Sequence, residues 1–248
     1  MSSQKLFMKK QALGGLLAGL CLGVGVLTAG AQTILPYGDS VTTFGANPQS
    51  SYRYWLYQKL TDAGFSFLLV GTRNGVENGT PANSWPQERY SGHEGWTSSD
   101  AAYGPNLSAV TKLAPDIVLL DFGSNDILEG IDLNTTTATN LETIIQAFAA
   151  AKPGVVILIS APTGFVVDPG LSRQQQSQQR AQQSRLTSVI SKVVKAENKA
   201  GIKVIKVNQF GGFNPKKDTV DGAHPNVQGE QKIASKYFAA LKKVLKNQ

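Results

Sequence analysis

Cysteine and histidine are almost absent from this sequence. Its 248 residues include one cysteine, Cys21, and two histidines, His93 and His224. Because Cys21 lies within a segment that we expect to be removed, the mature chain has no disulfide and no thiolate metal site. The two histidines are too far apart in the sequence to match the ligand spacing of a hydrolytic zinc site. We therefore expect no metal, no cofactor and a stability that rests on an ordinary hydrophobic core.

Residues 1–31 have the pattern of a secretory signal peptide. A basic head with three lysines precedes an uncharged run over residues 12–26 that is rich in Leu, Gly and Ala. Residues 29–31, Ala-Gly-Ala, supply the small side chains that a signal peptidase accepts. The glycines within the run argue against a retained membrane anchor. We expect cleavage before Gln32, export to the periplasm or the medium, and one domain over residues 32–248.

The charge of the chain does not indicate a macromolecular partner. The net charge is +7, and part of it belongs to the N-terminal segment. Nucleic-acid binding would require a basic stripe interleaved with aromatic residues, or a known motif, and the sequence has neither. Several lysines near the C-terminus fit the solvated face of a helix: Lys232, Lys236, Lys242, Lys243 and Lys246. We expect a monomer with no nucleic-acid partner.

Five apolar runs of strand length alternate with segments of helical periodicity. The runs span residues 33–37, 65–70, 116–121, 155–160 and 203–207. Apolar stripes at helical spacing predict helices near residues 52–60, 141–148, 186–194 and 233–245. This alternation predicts an α/β fold, in which a mostly parallel, five-stranded sheet lies between two layers of helices.

Two connections are unusual in length or composition. Residues 71–96 contain Gly, Asn, Pro and Trp without helical periodicity, and a loop of this length in a compact domain is commonly functional. Residues 172–185 are rich in Gln and Arg. Their helix propensity and the apolar stripe that follows predict a long, exposed helix rather than a disordered tract.

Candidate catalytic residues follow three of the predicted strands. Ser40 comes after the first strand, Asn125 after the third, and His224 lies in the loop after the fifth. Because parallel strands place their carboxyl ends at one edge of the sheet, all three residues are expected there. A serine hydroxyl needs a base to become nucleophilic, and the base needs a third group to orient it. His224 and Asp221 fit these two roles, with His93 as the competing base.

An ester hydrolase also needs donors for the oxyanion that forms during attack. The side-chain amide of Asn125 is one candidate, while Asp121 and Asp126 fit structural roles in the same turn. A backbone N–H in the segment 92–97 is another candidate. The spacing alone does not choose between Gly92 and Gly95. Each of these residues taken singly is equally typical of an ordinary turn.

In combination, the residues resemble the four sequence blocks of the SGNH (GDSL) hydrolases. Residues 38–42 resemble the first block, Gly95 with Trp96 and Thr97 the second, residues 123–126 the third and residues 221–226 the last. In the third block, Ser124 occupies a position at which threonine is common in this family. The resemblance implies a flavodoxin-like three-layer α/β/α sandwich and ester hydrolysis through an acyl-enzyme without a cofactor. It also implies an oxyanion hole made of the Ser40 N–H, the Gly95 N–H and the Asn125 side chain.

Within this family, residues 93–96 and 52–54 look most like carbohydrate esterase family three, whose known members deacetylate xylan. This implies a secreted enzyme with an acetylated carbohydrate as substrate, and we expect Trp96 and Asp39 to contact that substrate. Aromatic side chains could stack on sugar rings or pack the long loop: Trp85, Tyr90, Trp96 and Tyr103. The alternatives are a lipid esterase or lysophospholipase covered by residues 161–185, and a carbohydrate-binding protein without turnover.

Overall fold

The computed structural model of the protein describes residues 30–44, 51–75 and 86–245. Almost all of the expected signal peptide, Trp85 and Lys246 lie outside the described residues. The expected cleavage and export therefore stay predictions. Among the described helices, none has the length and apolar character needed to cross a membrane.

A parallel sheet forms the centre of the domain. Its strands pair in the order β2-β1-β4-β5-β6, and the two-residue β3 pairs with β1 beyond the end of β2. The strands are β1 (Gln32–Gly38), β2 (Phe67–Leu69), β3 (Ser91–Gly92), β4 (Ile117–Asp121), β5 (Val156–Ala161) and β6 (Lys203–Asn208). The five predicted strands are confirmed, each within three residues of its expected bounds. The sequence did not indicate β3, because two residues carry no alternation of apolar and polar side chains.

Helices cover both faces of this sheet. They are α1 (Ser40–Thr43), α2 (Ser51–Asp62), α3 (Ser98–Ala102), α4 (Pro105–Thr111), α5 (Ser124–Leu128), α6 (Ala138–Ala151), α7 (Arg173–Lys199), α8 (Pro215–Asp218) and α9 (Val227–Leu241), with a π-helical turn at Leu133–Thr137. The four helices with apolar stripes, α2, α6, α7 and α9, are confirmed. The shorter ones have too few turns to show a stripe.

Each central strand is buried on both sides. In β4, Val118 and Leu120 pack into the core under α6 and α7, whereas Ile117 and Leu119 pack into the core under α2 and α9. Successive side chains of a strand point to opposite faces, so a continuous apolar run fills both cores. This is the three-layer arrangement that the sequence predicts.

The Gln-rich segment is helical, as predicted. Helix α7 starts with a capping box, in which Ser172 and Gln175 bind each other's backbone N–H groups. The buried positions of α7 lie in its second half, at Leu186, Val189, Ile190, Val193 and Glu197. The first half of α7 is mostly exposed.

A buried arginine fixes the described part of the long loop. The Arg53 guanidinium donates to the backbone oxygens of Thr42 (2.9 Å), Glu88 (3.0 Å) and Gly75 (2.9 Å). It also lies 3.7 Å from the centre of the Tyr90 ring. Arg53 therefore joins the loop to α1, the helix that begins with Ser40.

Candidate active site

The predicted nucleophile Ser40 is the first residue of α1, directly after the end of β1. Asp39 caps this helix, and its carboxylate accepts a hydrogen bond of 3.0 Å from the Val41 N–H. Gly38 is required here because a Cβ atom would lie 2.7 Å from the Asp121 carbonyl oxygen. The close approach of β1 and β4 thus determines where the serine is placed.

Two carboxyl groups are buried beneath this turn. Asp39 and Asp121 are 1% and 2% exposed. Burial raises the pKa of Asp39 to about 7, although the Val41 N–H and the nearby His224 oppose the shift. Burial and the neighbouring Asp39 raise the pKa of Asp121 well above its usual range. Asp39, which was expected to contact substrate, lines the same cavity as Ser40, and its Oδ1 atom is engaged in the helix cap.

The predicted base is held by an aspartate three residues earlier. His224 Nδ1 lies 2.6 Å from Asp221 Oδ2, and Asp221 Oδ1 accepts from the backbone N–H groups of Ala223 (2.9 Å) and His224 (2.8 Å). Partial burial acts to raise the pKa of Asp221, but the hydrogen bonds from His224 and Ala223 outweigh it and lower the pKa. With Nδ1 bound to a carboxylate, Nε2 is left to accept a proton. The imidazole also packs on the Phe44 ring, at 4.7 Å between ring centres.

Ser40, Asn125, Asp221 and His224 line one cavity of about 200 Å³. They come from three segments that are far apart in the sequence: the turn after β1, the first turn of α5, and the loop before α9. The predicted catalytic residues are therefore brought together at the carboxyl edge of the sheet. His93 does not line this cavity; its ring stacks on Trp96 at 3.6 Å between ring centres.

Two of the three oxyanion donors implied by the resemblance, Asn125 and Gly95, lie on segments that a hydrogen bond joins. Asn125 Nδ2 donates a 2.9 Å hydrogen bond to the Trp96 carbonyl, which leaves its second N–H for another acceptor. Gly95 is exposed and has a φ of +71°, and a Cβ atom there would have no heavy atom within 4 Å. Gly92, the rival glycine, is buried in β3, where it pairs with Gly38.

Asp126 has the structural role that the sequence left open. It is fully buried and accepts hydrogen bonds from the Ser98 N–H (2.8 Å), the Ser98 hydroxyl (2.5 Å) and the Thr137 hydroxyl (2.7 Å). These bonds fasten α5 to α3 and to the π-helical turn. The first turn of α5, which contains Asn125, is therefore fixed in place by its contacts with α3 and with the π-helical turn.

The aromatic residues proposed for sugar stacking differ in their surroundings. Tyr90 is 1% exposed beneath Arg53, so it packs the loop and cannot stack on a sugar. Trp96 is half-buried between His93 and the core and does not line the cavity. Tyr103 is 57% exposed.

Several residues of the cavity wall were not predicted. Leu128, Thr163, Phe165 and Val166 also line the cavity, and the Phe44 ring packs against the imidazole. Thr163 could have been found, since it follows the carboxyl end of β5 as Ser40 and Asn125 follow β1 and β4. The other four residues have no pattern in the sequence that marks them. In the described ranges, no group of three or more His, Cys, Asp or Glu residues could hold a metal ion.

Comparisons with known proteins agree with this geometry. The model of the GDSL-like Lipase/Acylhydrolase family matches residues 37–232. A multidomain esterase of Ruminococcus flavefaciens is 25% identical over 237 residues, which are 88% of this chain and 29% of that protein. The chain thus spans less than a third of the length of this relative.

Solved structures show the same fold. A family 3 carbohydrate esterase of Clostridium thermocellum is 28% identical with a TM-score of 0.64, over 87% of this chain and 100% of that one. One of Talaromyces cellulolyticus is 23% identical with a TM-score of 0.71, over 86% and 97%. The family model covers most of the chain, including each block of the site. The chain therefore belongs to the GDSL-like lipase/acylhydrolase family of SGNH esterases.

Proposed function

We propose that the protein is a secreted serine esterase that removes acetyl or other short acyl groups from a polysaccharide such as xylan. The observation that supports this best is the cavity shared by Ser40, Asn125 and His224. Asp221, bound to the far nitrogen of the imidazole, completes an arrangement in which a hydroxyl, a base and an orienting carboxylate face one space.

The reaction passes through an acyl-enzyme. Ser40 Oγ attacks the ester carbonyl and gives its proton to His224 Nε2, while Asp221 stabilises the imidazolium. The N–H groups of Ser40, Gly95 and the Asn125 side chain stabilise the oxyanion. His224 then returns the proton to the departing alcohol. A water molecule, activated by the same imidazole, hydrolyses the acyl-enzyme and releases the acid.

The size of the cavity favours a short acyl group. About 200 Å³ is below the volume of sites that enclose a drug-sized ligand, about 300–1,000 Å³. An acetyl group fits this space together with the attacking hydroxyl. A long acyl chain exceeds the volume of this cavity.

Carbohydrate as the alcohol part of the ester is supported by the names of the similar proteins, among them two family 3 carbohydrate esterases. The lipid-esterase alternative requires an apolar cover over residues 161–185. Residues 173–185 instead form the polar, mostly exposed first half of α7, which does not favour a lipid substrate.

The test is a series of p-nitrophenyl esters from acetyl to octanoyl, together with acetate release from acetylated xylan. We expect kcat/KM to fall steeply beyond the shortest acyl groups. Ser40→Ala should lower kcat by about 10³-fold or more, because the nucleophile is lost while binding remains. Full activity of Ser40→Ala would refute the mechanism. A wild-type protein inactive on every ester would favour the carbohydrate-binding alternative.

A further inference from the structure

A second, larger cavity adjoins the candidate active site. It has a volume of about 600 Å³ and shares Phe165 and Val166 with the cavity of Ser40. A space of this size holds one or two sugar rings, whereas the smaller cavity accommodates little beyond the acyl group. The larger cavity is therefore placed to receive the other half of the ester, the alcohol part.

Phe165 and Val166 form the wall between the two cavities, and hydrogen bonds hold their backbone in place. Gln183 of α7 accepts from the Phe165 N–H (3.1 Å) and donates to the Phe165 carbonyl (3.2 Å). The Val166 N–H donates to the Gly222 carbonyl (2.7 Å), two residues before His224. The wall thus connects α7 directly to the loop of the predicted base.

The charge of the larger cavity is positive. Arg180 of α7 and Lys216 of α8 both line it, and its described lining residues include no Asp or Glu. Neither cation forms an ion pair within the ranges that the structure describes. Two unpaired cations from separate elements favour a ligand with negative charge.

The remaining lining residues are mostly apolar, with two glutamines and a serine among them. Phe210 and Phe213 supply apolar surface for the C–H faces of a sugar ring. The amides of Gln176 and Gln183 lie beside them and are held by hydrogen bonds to the backbone. The two cations distinguish this lining from a purely apolar site for a lipid chain. The combination of aromatic, amide and cationic side chains fits a sugar that carries a carboxylate.

We propose that this cavity binds the alcohol part of the ester, and that this part is an oligosaccharide containing a hexuronic acid, whose carboxylate contacts Arg180 and Lys216. The proposal rests on the proposed function, since it names the class of carbohydrate from which that reaction removes the acyl group.

The test compares acetylated xylo-oligosaccharides with and without a glucuronic acid substituent, and the readout is the ratio of the two kcat/KM values. The wild type should prefer the acidic substrate by about tenfold, which corresponds to one charge-assisted contact. The double variant Arg180→Gln/Lys216→Gln should lose most of this preference. High salt, about 1 M, should also reduce it in the wild type.

Two control variants sharpen the test. Lys195→Gln/Lys199→Gln removes the same charge from an exposed part of α7 outside the cavity, and it should keep the ratio. Arg180→Lys/Lys216→Arg keeps both charges and should keep most of the preference, which separates loss of charge from misfolding.

Three outcomes would overturn the proposal: equal rates of the wild type on both substrates, an unchanged ratio in the double Gln variant, or a preference for lysophospholipid over the acidic oligosaccharide. Failure of the proposed function looks different, because the wild type would then hydrolyse neither p-nitrophenyl acetate nor any acetylated oligosaccharide.

Discussion

The two halves of the predicted catalytic apparatus are held in different ways. The nucleophile segment (residues 38–43) is nearly buried, with Asp39 1% and Thr42 0% exposed. The base loop (residues 219–226) is open to solvent, with the Asp221 side chain 49% exposed. Packing of the sheet positions the first, whereas hydrogen bonds within a few residues position the second. Apart from Ser40 itself, substitutions in the nucleophile segment should therefore act through stability, and those in the base loop through chemistry.

Within the base loop, the largest effect is expected from Asp221→Asn. The variant amide would keep the backbone hydrogen bonds but would present an N–H to His224 Nδ1, which favours the wrong imidazole tautomer. We expect kcat to fall by about 10³–10⁴-fold, with almost no change in the free energy of unfolding. Steady-state kinetics and urea unfolding measure the two quantities.

Asp168→Asn is the matched control, since it removes an exposed carboxylate that lines neither cavity, although Val167 and Pro169 on either side of it line the larger one. It should leave kcat within about twofold, as expected for a surface change. An equal loss of kcat in both variants would contradict the assigned role of Asp221.

In the nucleophile segment, Gly38→Ala should act through stability instead. The new methyl group would meet the Asp121 carbonyl oxygen at 2.7 Å, so β1 and β4 must separate. We expect the free energy of unfolding to fall by about 1–3 kcal/mol or more, with a parallel loss of activity. Thermal unfolding measures the effect, and an unchanged melting temperature would show that the sheet does not determine the position of Ser40.

The buried acids beneath the nucleophile predict a dependence of stability on pH. Because burial raises the pKa of Asp39 from 3.8 to about 7, the native state holds a proton that the unfolded state has lost between these pH values. The free energy of unfolding should therefore decrease as the pH rises from about 4 to 7, on the order of a few kcal/mol. Asp116 and Asp218 have a lowered pKa in the native state. They therefore change the free energy of unfolding only at a pH of about 4 or below, outside the range in which Asp39 titrates.

Urea unfolding between pH 4 and 8 measures this slope. Asp121→Asn should flatten it, because it removes a buried carboxyl group whose own pKa is raised by burial and by the neighbouring Asp39. A slope that is equally steep in Asp121→Asn would contradict the pairing of the two buried acids.

The smallest effect concerns Phe44, where the two regions touch. Phe44→Ala would remove the ring that supports the imidazole at 4.7 Å. An aromatic pair contributes about 0.5–1.5 kcal/mol, so we expect about a tenfold loss of kcat and a small change in stability. Phe44→Tyr should keep most of the activity. No change of kcat in Phe44→Ala would show that Asp221 alone is enough to orient His224.

Local patterns predicted much of the fold and of the site. The continuous apolar runs of β1, β4 and β5 and the stripe of α7 identify buried elements because each pattern depends only on neighbouring residues. The positions of Ser40 and Asn125 after strands likewise followed from the rule that parallel strands share a carboxyl edge. Short elements such as β3 and α8 escaped prediction, since a few residues do not show a period.

By itself, the sequence determined the α/β class, the alternation of its elements and the residues of the four blocks, because these features are properties of short stretches of chain. The tertiary structure alone decided that Tyr90 is buried beneath Arg53, that Asp39 is a buried cap, and that Phe165 and Val166 separate two cavities. Such contacts join residues that are remote in the sequence, and their formation depends on how the whole sheet and its helices pack. No local pattern encodes that packing.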